Sequence, residues 1–410
     1  MNYEETLAFL FNKLQSYQHS GSSAINSKLD KTLEFCARLG NPQNAFKCIH
    51  VGGTNGKGSV SHYLSSGYQS AGYNVGLYTS PHLKDFTERI KLNGIEVPRD
   101  FVVSFVEAHH ELIQSIQPSF FELTVVMAFD YFRKTKVDLA IIEVGLGGRW
   151  DSTNVINPLI SVITNISLDH VGILGDTLEQ IAIEKAGIIK QDTPVVIGER
   201  QQETDHIFIG QAQKLNAELR FASERDFRLV KSVKTNYDRI NQRTAFEVFG
   251  ILNKSKLFET DEEVVLNGFE QMPQLTGLRG RWDILSQSPL MICDTGHNYG
   301  GVKQVVSEIA KLNRDKVHII WGMVAEKDVL SVLRLLPKKA HYYFCGTSNP
   351  RTLSGIQISE MAHTVGLIGD SYEGVDLAIH SAQKMAKVND LIFIGGSNFV
   401  VADIPDTIWL

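Results

Sequence analysis

Four glycines, a lysine and a serine fall within residues 52–59 of the run KCIHVGGTNGKGS, which spans residues 47–59. Residues of these types bind phosphate. Glycines let backbone N–H groups approach an anion, and a helix that starts just beyond them points the positive end of its dipole at the same spot. Lys57 can neutralise outer phosphates and Ser59 can offer a hydroxyl to Mg²⁺. The match to the standard phosphate-binding loop is imperfect. Val51 stands where that pattern has its first glycine, and Gly58 where it has Ser or Thr. A ligand-free glycine turn is the other reading, and the density of glycine, lysine and hydroxyl weighs against it.

Other reactive residues also follow apolar runs. Glu143 closes the run VDLAII at 137–142 and is followed by Gly145, Gly147 and Gly148; Ser80 and His82 follow a run at 74–79; Asp169 and His170 follow one at 160–164. If each run is a parallel strand, all these groups share the sheet edge where ligands bind in open α/β folds. Hard oxygens from Ser80 and Glu143, with one imidazole, suit Mg²⁺. Lys185, in AIEKAGIIK, reads by spacing as a solvated helix lysine paired with Glu184 or Glu179. Further along, Asp294, Gly296, His297 and Asn298 follow another apolar run. Arg279 and Arg281 precede it, suiting either a phosphate clamp or a solvated basic linker. Gly395, Gly396 and Ser397 end the last clear run and suit a carboxylate or a tight turn.

The elements that must position these groups alternate. Helical spacing predicts helices over 3–15 and 28–39, with the polar stretch HSGSS between them, and another from residue 59. A hairpin is expected over 89–97 about Asn93 and Gly94, then helices over 100–114 and 121–133. Near-continuous apolar runs at 48–51, 137–142, 160–164 and 195–197 read as buried parallel strands. Residues 176–179 fit a capping box that opens a helix to about 190. Helices over 241–252 and 261–271 lead to Pro273 and Gly277, where a boundary is expected. A second alternation follows, with strands at 290–293, 317–320, 341–345 and 391–394 and helices at 301–312, 329–336 and 375–387. The predicted fold is α/β. A P-loop mononucleotide-binding N-terminal domain (1–276) with a mainly parallel sheet precedes a smaller Rossmann-like α/β C-terminal domain (277–410).

Composition narrows the class. The 410 residues are 43% hydrophobic and 21% charged, with a net charge of −6 and no long basic run. That predicts a globular enzyme without a nucleic-acid partner. No apolar run approaches a membrane span and the start lacks secretory-signal character. Cys36, Cys48, Cys293 and Cys345 are scattered, which predicts free thiols and a reducing cytoplasm.

Eight short runs, taken in order, resemble the folylpolyglutamate synthase/dihydrofolate synthase family of the Mur ligase superfamily. They are GTNGKGS (53–59), TSPHL (79–83), FFELT (120–124), EVGLGGRWDSTN (143–154), ITN with DH (163–170), EKAGIIK (184–190), GRW (280–282) and DTGHN (294–298). The resemblance implies a cytoplasmic, monomeric ligase that uses ATP to join L-glutamate to dihydropteroate or a folate through an acyl phosphate. It implies a P-loop ATPase and pterin-binding domain followed by a glutamate-ligase domain. Asn55, Gly56, Lys57, Gly58 and Ser59 would cradle ATP, with Asn241, Arg281 and Asp294 also contacting it. Ser59, Ser80, Glu143 and His170 would hold two Mg²⁺ ions. Phe121, Glu122, Leu123, Thr124, Trp150, Asp151 and Ser152 fall at pterin-substrate positions, and His297 and Ser397 near the incoming glutamate. Lys57, Lys185 and His297 would be the catalytic groups. Lys185 matches a lysine carried as a carbamate, which reverses its reading as a solvated cation. Departures are Tyr299 for a usual Pro, Trp150 for Leu, Asp238 for Gln, and GSNF near the end for GSLY; residues 20–30 match the family's dihydropteroate signature poorly. Alternatives are folylpolyglutamate synthase activity alone, a Mur-type ligase for another carboxylate, a small-molecule kinase, or a nucleotide switch. No NKxD motif supports the last as a GTPase.

Overall fold

The computed structural model describes residues 1–14, 29–224, 230–325 and 328–409. The HSGSS stretch and most of the 20–30 signature lie outside them. The chain divides into two compact units, Met1–Val233 with Tyr237–Leu278, and Lys234–Asn236 with Arg279–Leu410.

The first unit is built on eight strands: β1 (Lys47–Gly52), β2 (Val75–Tyr78), β3 (Ile90–Leu92), β4 (Ile95–Glu96), β5 (Leu139–Glu143), β6 (Ile160–Ile163), β7 (Val195–Ile197) and β8 (Leu219–Phe221). Their order is β4-β3-β2-β5-β1-β6-β7-β8. All neighbouring pairs from β2 to β8 are parallel, and β3 and β4 form the expected antiparallel hairpin. Asn93 and Gly94 both take positive φ, 49° and 78°, as a two-residue hairpin turn requires.

β5 is buried along its whole length because helices cover both faces of the sheet. Side chains alternate across it. Cys48 joins a core with Phe105, Phe120 and Phe129, whereas Ile49 and Val51 join one with Tyr63, Phe246 and Phe249. The first core lies under helices Tyr3–Lys13, Arg99–Ala108 and Phe120–Thr135, the second under Lys57–Ser70, Asn236–Lys254 and Glu262–Glu270.

Two local expectations are corrected. The helix expected over 100–114 is two, Arg99–Ala108 and His110–Ile116, broken at His109. The cap near 176 sits one residue later. Thr177 accepts from the Gln180 N–H, and the helix Leu178–Ala186 stops at Gly187 instead of reaching 190.

The second unit carries β9 (Asp283–Gln287), β10 (Leu290–Asp294), β11 (Val317–Trp321), β12 (His341–Cys345), β13 (Gly369–Tyr372) and β14 (Leu391–Gly395). The order is β13-β12-β11-β14-β10-β9, parallel except for the β9–β10 pair. Both units are α/β, and the sheets of both are mainly parallel, as expected.

Candidate active site

Four adjacent strands of the first unit, β2, β5, β1 and β6, end on one edge. Val51 pairs with Glu143, Gly52 with Ile163, and Tyr78 with Ile142. Ser80, Glu143, the glycine loop and the segment carrying Asp169 and His170 therefore leave neighbouring strand ends, as predicted.

The loop between β1 and the helix Lys57–Ser70 is pinned to the segment after β6. The Thr54 N–H donates to the Asn165 carbonyl at 2.8 Å and the Asn55 N–H to Asn165 Oδ1 at 3.0 Å. The Thr164 hydroxyl donates to the Asn55 carbonyl at 2.6 Å. Gly53 has φ +129°, and a Cβ there would lie 1.9 Å from Thr164 Oγ1, so only glycine fits. Gly56 has φ +85°, and a Cβ there would lie 2.3 Å from Asn241 Oδ1. The Asn241 amide thus sits against the loop. The helix that carries it is tied to the helix Lys57–Ser70 by Tyr63, which donates to Asp238 and accepts from Gln242. The helix starts at Lys57, two residues earlier than its apolar pattern indicates. The first-turn N–H groups of Lys57, Gly58 and Ser59 have no acceptor within the helix, as at any helix start, and form an anion cradle. Lys57 Nζ folds onto the Thr54 carbonyl at 3.2 Å.

Glu143 is buried, and its Oε2 accepts from the Ser80 N–H at 3.0 Å. A side chain at Gly58 would begin 3.8 Å from both carboxylate oxygens, so the acid lies against the helix start. Sequence reasoning missed Arg89. It is 2% exposed, donates from Nε to His82 Nδ1 at 2.7 Å, and stands 5.1 Å from the Phe120 ring centroid. Burial pushes its pKa down, while Tyr78 and Glu143 oppose the shift. A charged residue next to Lys91 and Glu96 of the same hairpin gave no distinguishing signal.

Lys185 is not solvated, as its spacing alone suggested. It is 4% exposed, and Nζ donates to the Gly53 carbonyl at 2.8 Å. Burial, then the charge of Lys57, pushes its pKa down to about 7, against the pull of Asp169 and Asp151. A sizeable share of this amine is therefore neutral near pH 7. His170 has φ 51°, and its Nε2 lies 3.8 Å from Asp169 Oδ1.

On the other face of the sheet, Phe121 packs against Gly145, where a Cβ would come within 2.3 Å of the ring. Its neighbours are committed elsewhere. Glu122 caps its own helix by accepting from the Ser119 N–H, Leu123 is in the core, and the Thr124 hydroxyl donates to the Phe120 carbonyl at 2.7 Å. Asp151 is buried, and Oδ2 accepts from the Leu146 N–H at 2.8 Å. Ser152 is buried beside it, and Trp150 is 50% exposed.

In the second unit the ends of β10 and β14 are paired, Asp294 with Gly395. Asp294 accepts from the Trp282 N–H at 2.9 Å and the Gly296 N–H at 2.7 Å. His297 Nδ1 lies 3.0 Å from the Thr295 carbonyl, which can only accept and so holds the ring proton on Nδ1. Ser397 is buried and caps the helix Asn398–Ala402 by accepting from the Val400 N–H. Arg281 Nη1 donates to the Gly280 carbonyl at 3.1 Å.

No group of three or more His, Cys, Asp or Glu side chains gathers as a metal cage among the described residues. A Mg²⁺ ion that takes most of its ligands from phosphate and water needs none. The hydroxyls of Ser59 and Ser80 and the buried carboxylate of Glu143 are hard oxygen donors of the kind that suits such an ion.

Known proteins resemble this chain in sequence and in fold. The Mur ligase middle domain matches residues 51–263, and the Mur ligase glutamate ligase domain matches residues 280–398. The chain is 30% identical to a dihydrofolate synthase/folylpolyglutamate synthase of Bacillus subtilis, over 93% of this chain and 94% of that one. A structure of E. coli FolC in complex with DHPP and ADP superposes with a TM-score of 0.84 at 29% identity, covering 98% of this chain and 96% of that one. A bifunctional folylpolyglutamate synthase/dihydrofolate synthase with Mn, AMPPNP and L-glutamate bound gives a TM-score of 0.84 at 28% identity, covering 98% and 97%. This chain belongs to the folylpolyglutamate synthase/dihydrofolate synthase family of Mur ligases.

Proposed function

We infer that this protein uses ATP to join the α-amine of L-glutamate to a carboxylate carried by a pteroate or folate. It acts as both dihydrofolate synthase and folylpolyglutamate synthase. The observation that carries the reading is the convergence of the glycine loop, Ser80, Glu143 and Lys185 at adjacent strand ends. The relatives bearing both activity names support it. Four buried free thiols suit a reducing cytoplasm, and no helix among the described residues is long and apolar enough to cross a membrane.

In the proposed reaction, Lys57 and the first-turn N–H groups hold the γ-phosphate and offset its charge. The substrate carboxylate oxygen attacks the γ-phosphorus, the bond to the bridging oxygen breaks, and ADP departs. The neutral amine of glutamate then attacks the acyl carbon, the carbon–oxygen bond to the phosphate breaks, and phosphate leaves with the proton that the nitrogen gives up. Ser59, Ser80 and Glu143, with His170 for a second ion, would hold Mg²⁺, whose chemistry is to neutralise the triphosphate and the developing charge. Lys185 suits carbamylation, because CO₂ adds only to a neutral amine and burial supplies one near pH 7. The product is an anion beside the phosphate loop. In the second unit, Arg281 and Asp294 would meet the nucleotide, and His297 and Ser397 the glutamate.

The test is a product analysis. Incubation with Mg-ATP, labelled glutamate and either dihydropteroate or a tetrahydrofolate should give glutamylated products with both, and ADP release should require glutamate. ADP formed without an amide product would make the protein a kinase. Product from only one pterin substrate would remove the second activity.

A further inference from the structure

β1 carries one fully buried polar side chain in its apolar run, His50, and sequence reading passed over it. His50 Nε2 lies 2.8 Å from Thr153 Oγ1. The Thr153 hydroxyl donates its only proton to Asp151 Oδ1 at 2.5 Å, so it must accept from His50. Burial, aided by the charge of Lys190, pushes the His50 pKa down to about 3, so the ring is neutral with its proton on Nε2. Its other nitrogen, Nδ1, is buried with no hydrogen-bond partner among the described residues. A half-satisfied imidazole in a buried strand is a poor packing choice, since an apolar side chain would avoid the desolvation cost. What the histidine supplies is the Nε2 bond.

That bond begins a chain that leads out of the sheet. Asp151 Oδ1 also accepts from the Thr153 N–H at 3.0 Å, and Oδ2 from the Leu146 N–H at 2.8 Å. The segment from Leu146 to Asp151 is thereby drawn closed at the end of β5. Its outer side is tied separately. Asn154 Nδ2 donates to the Arg149 carbonyl at 3.0 Å, and the Arg149 N–H to the Glu184 carbonyl at 2.9 Å. The loop carrying Trp150 is therefore held from within the sheet by His50 and from outside by the helix that bears Lys185.

We propose that His50 is a positioning residue for the carboxylate-bearing substrate, acting through Thr153 and Asp151 to set the Leu146–Ser152 loop. This rests on the ligase reading for the identity of that substrate. It separates the two substrates of the first unit. Dihydropteroate should sense His50, whereas ATP, bound by the glycine loop, should not.

The experiment compares His50→Leu, His50→Gln and Thr153→Val. Gln carries an amide N–H₂ where the imidazole carries Nε2–H and should restore the bond. His50→Leu is expected to raise KM for dihydropteroate about five- to tenfold, the scale of one lost buried hydrogen bond. KM for ATP and kcat should stay within about twofold. His50→Gln should return KM for dihydropteroate to near the parent value. Because the two residues form one chain, adding His50→Leu to Thr153→Val should raise KM no further. Amide exchange at Leu146 provides a reading independent of turnover. It should quicken in His50→Leu and recover in His50→Gln. Equal rises in both KM values, or unchanged Leu146 exchange, would overturn the proposal. A parent enzyme that formed no glutamyl product would overturn the ligase reading instead, and the exchange comparison would still decide the relay.

Discussion

The two units present the same architectural feature, a parallel sheet edge, in opposite chemical states. The edge of the first unit buries ionisable groups: Glu143, Arg89 and Lys185 are each at most 4% exposed. The edge of the second has no buried lysine or arginine among its described residues; its buried groups there are Asp294, Thr295, Asn298 and Ser397. In the first, a lysine buried beside a lysine is held at a cost to stability. In the second, Asp294 and Ser397 satisfy backbone N–H groups and so contribute to stability. The difference separates residues kept for charge chemistry from residues kept for shape. Mutation should therefore uncouple activity from stability at one edge and couple them at the other.

The largest effect is expected at Lys57. Lys57→Ala removes the cation from the glycine loop and should lower glutamate-dependent ADP release by about 10²–10³-fold. Its side-chain hydrogen bond among the described residues is to the Thr54 carbonyl, so the thermal midpoint should hold. A variant that turns over normally would break the contrast at its strongest point.

Lys185 sharpens it through pH. Its folded pKa of about 7 lies below the ordinary lysine value of 10.5. Between these values the unfolded chain binds the extra proton, so this group makes stability rise with pH, by at most about 1.4 kcal/mol per unit. Below about pH 7 the penalty is complete. Lys185→Met should therefore be more stable than the parent at pH 6, with the gap closing toward pH 10, while ligase activity is lost. Urea midpoints at pH 6 and pH 9 in CO₂-free buffer check the sign, and a gap that widens with pH would refute it.

Asp294→Ala should behave in the opposite way. Two backbone N–H groups, of Trp282 and Gly296, lose their acceptor. The expected loss is about 1–3 kcal/mol, read as a lower urea midpoint, with activity falling in step. Unchanged stability with abolished turnover would place Asp294 in the first class.

Sequence legibility follows the same division. β1, β5, β6, β10, β11 and β14 were readable because strands buried on both faces leave unbroken apolar runs. β8, β9 and β13 were not. They are partly exposed, and GDSY at β13 has almost no apolar content, since its position is set by pairing with β12. In the site, the glycine loop and Glu143 announce themselves by type and place. Lys185 does not, because a buried lysine and a solvated one have the same spacing. The family resemblance corrected that reading before the structure buried it. His50 depends on Thr153, a partner distant in the chain that no local pattern encodes; the capping box of Ser119 and Glu122 is local, and the sequence reading passed over it.

The smallest effect tests where the first unit's edge meets substrate without stabilising the fold. Trp150 is 50% exposed, on the loop that Asp151 closes, at a position where the family usually carries Leu. Its indole buries too little to matter for folding, so Trp150→Leu should shift stability by no more than about 0.5 kcal/mol. The side chain nonetheless stands on the loop that we assign to the pterin substrate. Replacing it should change KM for dihydropteroate by about two- to threefold, the scale of partial loss of one apolar contact, and leave KM for ATP alone. Parallel shifts in both constants would mean that the loop serves the nucleotide as well, and the separation of substrates across the two faces of this sheet would fail.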